Sequence, residues 1–210
     1  MMAIGLFAAA AVASAGPSLP AYERGDAFVY SDGRVERVRK LESPNVIWSG
    51  LSSRRWKRDR NFVIPVLSWR LGEREGRRTV SPGAERLWPL ARGNAARFRV
   101  VTETRNVKET VWRRSVSMWT CHTGAMRPVT VKAGTFDAWP VSCDRYSPST
   151  MRLQEQTSWD YAPEVGHYIR RTVVDYRKAT RTTIELVAAL HGPAATQARL
   201  KALSRAAKAE

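Results

Sequence analysis

Acidic residues are in short supply: 19 Asp and Glu face 35 Lys and Arg across 210 residues, leaving a formal net charge of +16. A surplus of this size draws a protein toward polyanions or anionic membrane surfaces, through contacts that weaken steeply as salt rises. Cysteine is rarer still, with only Cys121 and Cys143 present. Two thiols exclude a densely cross-linked miniature scaffold, and a chain of this length can bury a core without one. The three histidines, His122, His167 and His191, show no metal-ligand spacing, so neither a metal nor another cofactor is expected. There is no GxSxG elbow, phosphate-binding glycine loop or HExxH helix, and on that ground the chain is read as non-enzymatic. No apolar run reaches the roughly 18 residues of a membrane helix, so no transmembrane span is expected in the mature chain.

The N-terminus, MMAIGLFAAAAVASAGPSLP, carries an apolar run that ends in the small-x-small pattern Ala13-Ser14-Ala15. That is a signal-peptide pattern, with cleavage expected near Ala15 and delivery to the periplasm or the extracellular space. The domain reading is therefore a signal peptide at 1–15, an antiparallel β domain at 16–192 and a helical tail at 193–210. Export takes chromosomal DNA out of reach, so nucleic acid is not the expected partner. Cell-wall polymers, anionic lipid head groups and anionic glycans remain.

Alternation and turn residues point to a mainly β domain. In DAFVYSDGRVERVRK, Phe28 and Tyr30 alternate with other positions and Asp32-Gly33 signals a hairpin. A short strand follows Pro44 at residues 45–49. Residues 81–94 read as a linker with one helical turn near 84–87. Further strands are expected at 98–104 and within 110–122, on either side of Ala133-Gly134-Thr135, into Trp159, at 167–174 and at 182–190. The tail places Leu200, Leu203 and Ala207 on one helical face.

Residues 51–80 stand apart. Arg54, Arg55, Lys57, Arg58, Arg60, Arg70, Arg74, Arg77 and Arg78 are nine basic residues against Asp59, Glu73 and Glu75, a net of +6 (9 − 3). These nine are the candidate anionic-surface site. Pro65 in NFVIPVLSW favours an edge strand or an extended crossing there. Trp56 and Trp69 are expected to stack on neighbouring arginines or on a ligand ring.

In an oxidising compartment Cys121 and Cys143 are expected to form a disulfide, with free buried thiols or a reactive thiol as the alternatives. Counting register puts the two on opposite flanks of the strand at 129–132, so a bond there would demand strong curvature or a bulge. His122 follows Cys121 along a strand and points to the other face, which argues against a dyad. His167 is read as a turn-flanking residue hydrogen-bonded across the sheet; an acid–base site would combine it with Asp160 or Glu164 and with Tyr161 or Tyr168.

Two segments, VTVKAGTF at 129–136 and WDYAPEVG at 159–166, resemble the V-x-V-x-A-G-T-F and W-Y-A-P-x-V-G patterns of a family of exported, uncharacterised bacterial proteins with a twisted antiparallel β architecture, Asp160 being an insertion. DAFVYSDGRVERV is similar to the opening strand pair of some relatives. The resemblance implies a single strongly curved antiparallel sheet or half-barrel around an apolar groove, and it carries no settled activity. Phe136, Trp139, Trp159 and Tyr168 are the groove candidates. Two functions follow: binding of an anionic envelope polymer or surface through the arginines, or carriage of an apolar or lipid-like ligand in the groove.

Overall fold

The Ser31-Asp32-Gly33 turn closes as its sequence requires. Gly33 takes the left-handed backbone (φ 76°) that a β-carbon would strain, and the Tyr30 amide donates to the Arg34 carbonyl at 2.9 Å. Strand β1 (Ala27–Tyr30) enters this turn and β2 (Val35–Glu42) leaves it. From there the chain of this computed structural model, which describes residues 16–52 and 54–209, runs up and down through β3 (Asn45–Ser49), β4 (Arg55–Asp59), β5 (Ser68–Leu71) and β6 (Arg74–Val80). A 3-10 turn at Ala84–Leu87 leads into β7 (Ala95–Asn106) and β8 (Arg113–Thr123). Then come β9 (Arg127–Val131), β10 (Gly134–Tyr146), β11 (Leu153–Ala162), β12 (His167–Asp175) and β13 (Thr180–Leu190). The signal segment read at 1–15 lies outside the described residues.

The sheet is a closed barrel of twelve strands, which corrects the half-barrel expectation. Closure depends on β10. Its second half pairs with β8 from Val141↔Thr123 to Tyr146↔Met118, and on its other side with β11 from Trp139↔Tyr161 to Tyr146↔Leu153. Strand β1 pairs with β13, so the ring carries no free edge to blunt. The first half of β10 forms a hairpin with β9, whose Val129 and Val131 join the core and whose Ala133 amide donates to the Leu186 carbonyl of β13 at 2.9 Å. That hairpin folds across one end of the barrel.

Alternation sorts the side chains. Phe28 and Tyr30 point into the main core with Trp48, Phe98, Trp119 and Trp159, whereas Ala27 and Val29 point outward into a second cluster. Helix α1 (Gln197–Ala209) covers that second cluster with Leu200 and Leu203, which is why β1 is buried on both faces. Among the described residues no helix is long and apolar enough to cross a membrane.

Cys121 and Cys143 face each other across neighbouring strands β8 and β10 and are bonded, with α-carbons 4.0 Å apart. The register reading that set the 129–132 strand between them is corrected. That strand is β9, which pairs with β10 only beyond the ring, so the bond needs no bulge.

Candidate functional site

The barrel interior has two halves. At the hairpin end it is aromatic: residues 60–67 fold inward and Phe62 stacks on Tyr161 at 5.4 Å, near Trp88, Trp159 and Tyr168. Of the groove candidates, Trp159 and Tyr168 are buried in this packing, while Phe136 and Trp139 are half-buried against it. Toward the other end, the same inward alternation brings in Arg58, Arg78, Arg145, Arg171, Glu36 and Glu155.

Between the halves lies a buried polar network. Glu36 is 3% exposed and its Oε2 accepts from Arg58 Nη1 at 3.2 Å and from the Tyr168 hydroxyl at 2.9 Å. Tyr30 donates to the Tyr168 carbonyl at 3.2 Å. His167, fully enclosed, stacks on Phe28 at 4.1 Å, and its Nδ1 lies 2.7 Å from the Tyr22 hydroxyl. Its Nε2 stands 3.4 Å from Glu36 Oε2 without an aligned hydrogen bond. Burial opposes ionisation of Glu36, but the Arg58 guanidinium and His167 outweigh it and hold the carboxyl well below the usual range. Burial tends to discharge Arg58 too, and Glu36 keeps it charged more firmly than usual. Burial likewise raises the Tyr22 phenol and lowers the His167 imidazole. Tyr22 therefore donates to Nδ1 of a neutral ring, whose proton sits on Nε2 facing Glu36. Asp160, the acid offered as a partner for His167, is instead held by Arg127 at 2.9 Å and Arg170 at 2.8 Å.

The neutral ring predicts a pH dependence. Its folded pKa lies below the unfolded value of about 6.5, so its contribution to stability is complete above that value and is lost as pH falls, because only the unfolded chain takes up the proton. Thermal melts between about pH 7 and pH 5 should show stability falling with a slope of up to about 1.4 kcal/mol per pH unit from this group. His167→Gln flattens that part of the profile whatever its effect on absolute stability. Identical slopes in both proteins would contradict the assignment.

The nine arginine and lysine candidates separate into four groups. Arg58, 6% exposed, is in the network and not on the surface. Arg78 also turns inward: Nη1 donates to the Val66 carbonyl at 2.7 Å, and the guanidinium lies 4.3 Å from the Trp69 ring centre. Burial and the nearby Arg145 push its pKa down to about 10, which still leaves it charged at neutral pH. Arg60 ties down the N-terminal segment through the Pro20 and Leu19 carbonyls, at 3.0 and 3.5 Å. Arg55, Lys57, Arg70 and Arg77 alternate outward on β4–β6, and Arg74 is exposed at the β5–β6 hairpin. Arg54 lies at the barrel mouth.

The outward group is extended by residues that the sequence reading passed over. Arg37, Arg39 and Lys40 on β2, with Arg24 beside them, line an external groove of about 1250 Å³ that reaches Arg55. Among the described residues its only carboxylate, Glu42, is shared by Lys40 at 2.9 Å and Lys57 at 3.5 Å. Arg77 is paired with Glu103 at 2.7 Å. Among the described residues no carboxylate lies within ion-pair distance of Arg24, Arg37, Arg39, Arg55 or Arg70. The signal was present in RVERVRK, directly after the hairpin turn, where four basic residues accompany one acid.

A second concavity, of about 740 Å³, opens at the barrel end bearing the 31–34 turn and residues 50–52. Glu36 and Arg58 form its floor, Arg171 of β12 its far wall, and Arg34, Arg54 and Lys208 its rim, with Leu51, Trp56 and Val66 between them.

No protein-family model matches the chain, and no curated protein matches it either. Among solved structures it is similar to the hypothetical lipoprotein YmcC of Escherichia coli at 8% identity and a TM-score of 0.49, over 80% of this chain and 84% of that one. A presumed exported protein of YmcC-like fold from Bacteroides fragilis is similar at 13% identity and a TM-score of 0.42, covering 84% and 100%. A presumed lipoprotein from Parabacteroides distasonis is similar at 10% identity and a TM-score of 0.40, covering 83% and 99%.

Proposed function

We propose that this is an exported, non-enzymatic protein that binds an anionic polymer of the cell envelope on the outer face of β2–β6. The observation that carries the reading is the row of Arg24, Arg37, Arg39 and Arg55 along an external groove, continued by Arg70 in the depression that shares Arg55, all left without carboxylate partners among the described residues. Guanidinium forks match phosphate and carboxylate groups in two-point contacts, and a repeating polyanion engages several at once while releasing its counterions. The signal pattern at 1–15 and the Cys121–Cys143 bond support an oxidising, exported setting. His167 is fully enclosed among side chains and lines neither concavity, which supports a binding role over acid–base chemistry. An apolar cargo finds the aromatic end of the barrel already filled by Phe62 and its neighbours.

The test is titration with dextran sulfate across a salt series. Wild-type affinity should fall steeply with salt. A variant carrying Arg39→Ser, Arg55→Ser and Arg70→Ser, all at exposed positions, should bind at least tenfold more weakly near 50 mM salt, with a salt slope reduced by about two to three. Unchanged affinity at low salt would overturn the reading.

A further inference from the structure

We infer that the cavity at the barrel mouth is a second, separate site, built for the phosphate monoester of a small molecule. It gathers Arg54 from the β3–β4 turn, Arg58 from β4, Arg171 from β12 and Lys208 from the C-terminal helix, elements far apart in the chain. Five cationic side chains, counting Arg34, line it against one carboxylate. That carboxylate, Glu36, is already engaged by Arg58 and Tyr168, and Arg34 is paired with Asp32 at 3.2 Å. Arg54 and Arg171 have no carboxylate within ion-pair distance among the described residues.

The floor supports a ligand site. Arg58 is 6% exposed and held rigidly through Nη1, yet its Nε is buried with no hydrogen-bond partner. A buried guanidinium nitrogen without an acceptor is costly, and an oxyanion seated beside it supplies one. Glu36 fixes the Arg58 side chain in place, so the donor is positioned before the ligand arrives. With Glu36 neutralised by Arg58, the remaining charge favours an anion of two negative charges over one, which selects phosphate monoester over carboxylate. Low-dielectric walls strengthen each of these contacts relative to water. The volume of about 740 Å³ suits a metabolite-sized molecule, and Trp56, Val66 and Leu51 offer an apolar and aromatic surface for its body.

The phosphate can come from a sugar phosphate or from a lipid head group, and calorimetric titration with glucose 1-phosphate and with dihexanoyl phosphatidic acid tells them apart. At least one should bind, at least tenfold more tightly than glucose or sulfate does, and the tighter of the two identifies the body. Arg171→Gln should weaken that binding at least tenfold, while Arg70→Ser, on the polymer-binding face, leaves it unchanged. Should Arg171→Gln lower the melting temperature, the exposed Arg54→Gln takes its place with the same expectation. Absence of binding by both probes, or equal loss in Arg70→Ser, overturns the inference. The polymer-binding face is tested separately, by dextran sulfate binding to the triple variant, so failure of one reading is distinguishable from failure of the other.

Discussion

Glu36→Gln costs the folded protein about 3–5 kcal/mol, measured as a fall in the denaturant midpoint at neutral pH. The magnitude follows from what remains. Arg58, 6% exposed, stays charged inside the barrel with its one carboxylate partner gone. Burial of an unpaired guanidinium is far more expensive than the pair itself is favourable, so the loss measures a stranded charge and not the worth of an ion pair. The same reasoning fixes the control. Combining Glu36→Gln with Arg58→Met removes the stranded charge and recovers most of the stability. A single variant that melts with wild type would show that water reaches Arg58.

Loss of the Cys121–Cys143 bond, by reduction or as Cys121→Ala with Cys143→Ala, lowers stability by roughly 3 kcal/mol, as expected for a cross-link that closes a loop of this length. The bond joins residues 22 apart in sequence, and the segment between them contains the β9–β10 hairpin that covers one barrel end. Reduction frees that segment in the unfolded chain without removing any ladder pairing in the folded one. Denaturant curves with and without reductant provide the measurement. Coincident curves, with both thiols then reactive to alkylation, would show that the cross-link does not stabilise the barrel.

Local signals in the sequence are read correctly where one or two residues decide the backbone. Asp32-Gly33 marks a real turn, β3 spans the expected 45–49, and the helical turn at 84–87 and the hairpin around Ala133-Gly134 are both present. Barrel closure is not local. It rests on β10 pairing with β8, β9 and β11, and no short window shows that one strand changes partners halfway along. The same fact hid the cysteine register, because counting strands in order places β9 between β8 and β10. Strands β4–β6 were obscured for a different reason. Their inward positions include Arg58 and Arg78, so the usual contrast between an apolar and a polar face is missing. Trp69 packs over Gly76, which leaves no room for a β-carbon and places another blank where a side chain would have revealed the period.

The candidate site was legible as charge and not as geometry. Nine basic residues looked like one patch; alternation sends Arg55, Lys57, Arg70 and Arg77 outward and Arg58 and Arg78 inward. Glu36 carries no motif, and its importance comes from neighbours supplied by β4 and β12. Arg171 and Lys208 reach the mouth from distant parts of the chain, which no spacing rule connects.

The measurement that tests the central claim most directly is an amide chemical-shift map recorded while dextran sulfate is added near 50 mM salt. The account predicts shifts concentrated on β2 to β6, around Arg37, Arg39, Arg55 and Arg70. Shifts spread evenly over every basic surface, or confined to the C-terminal helix, would contradict it.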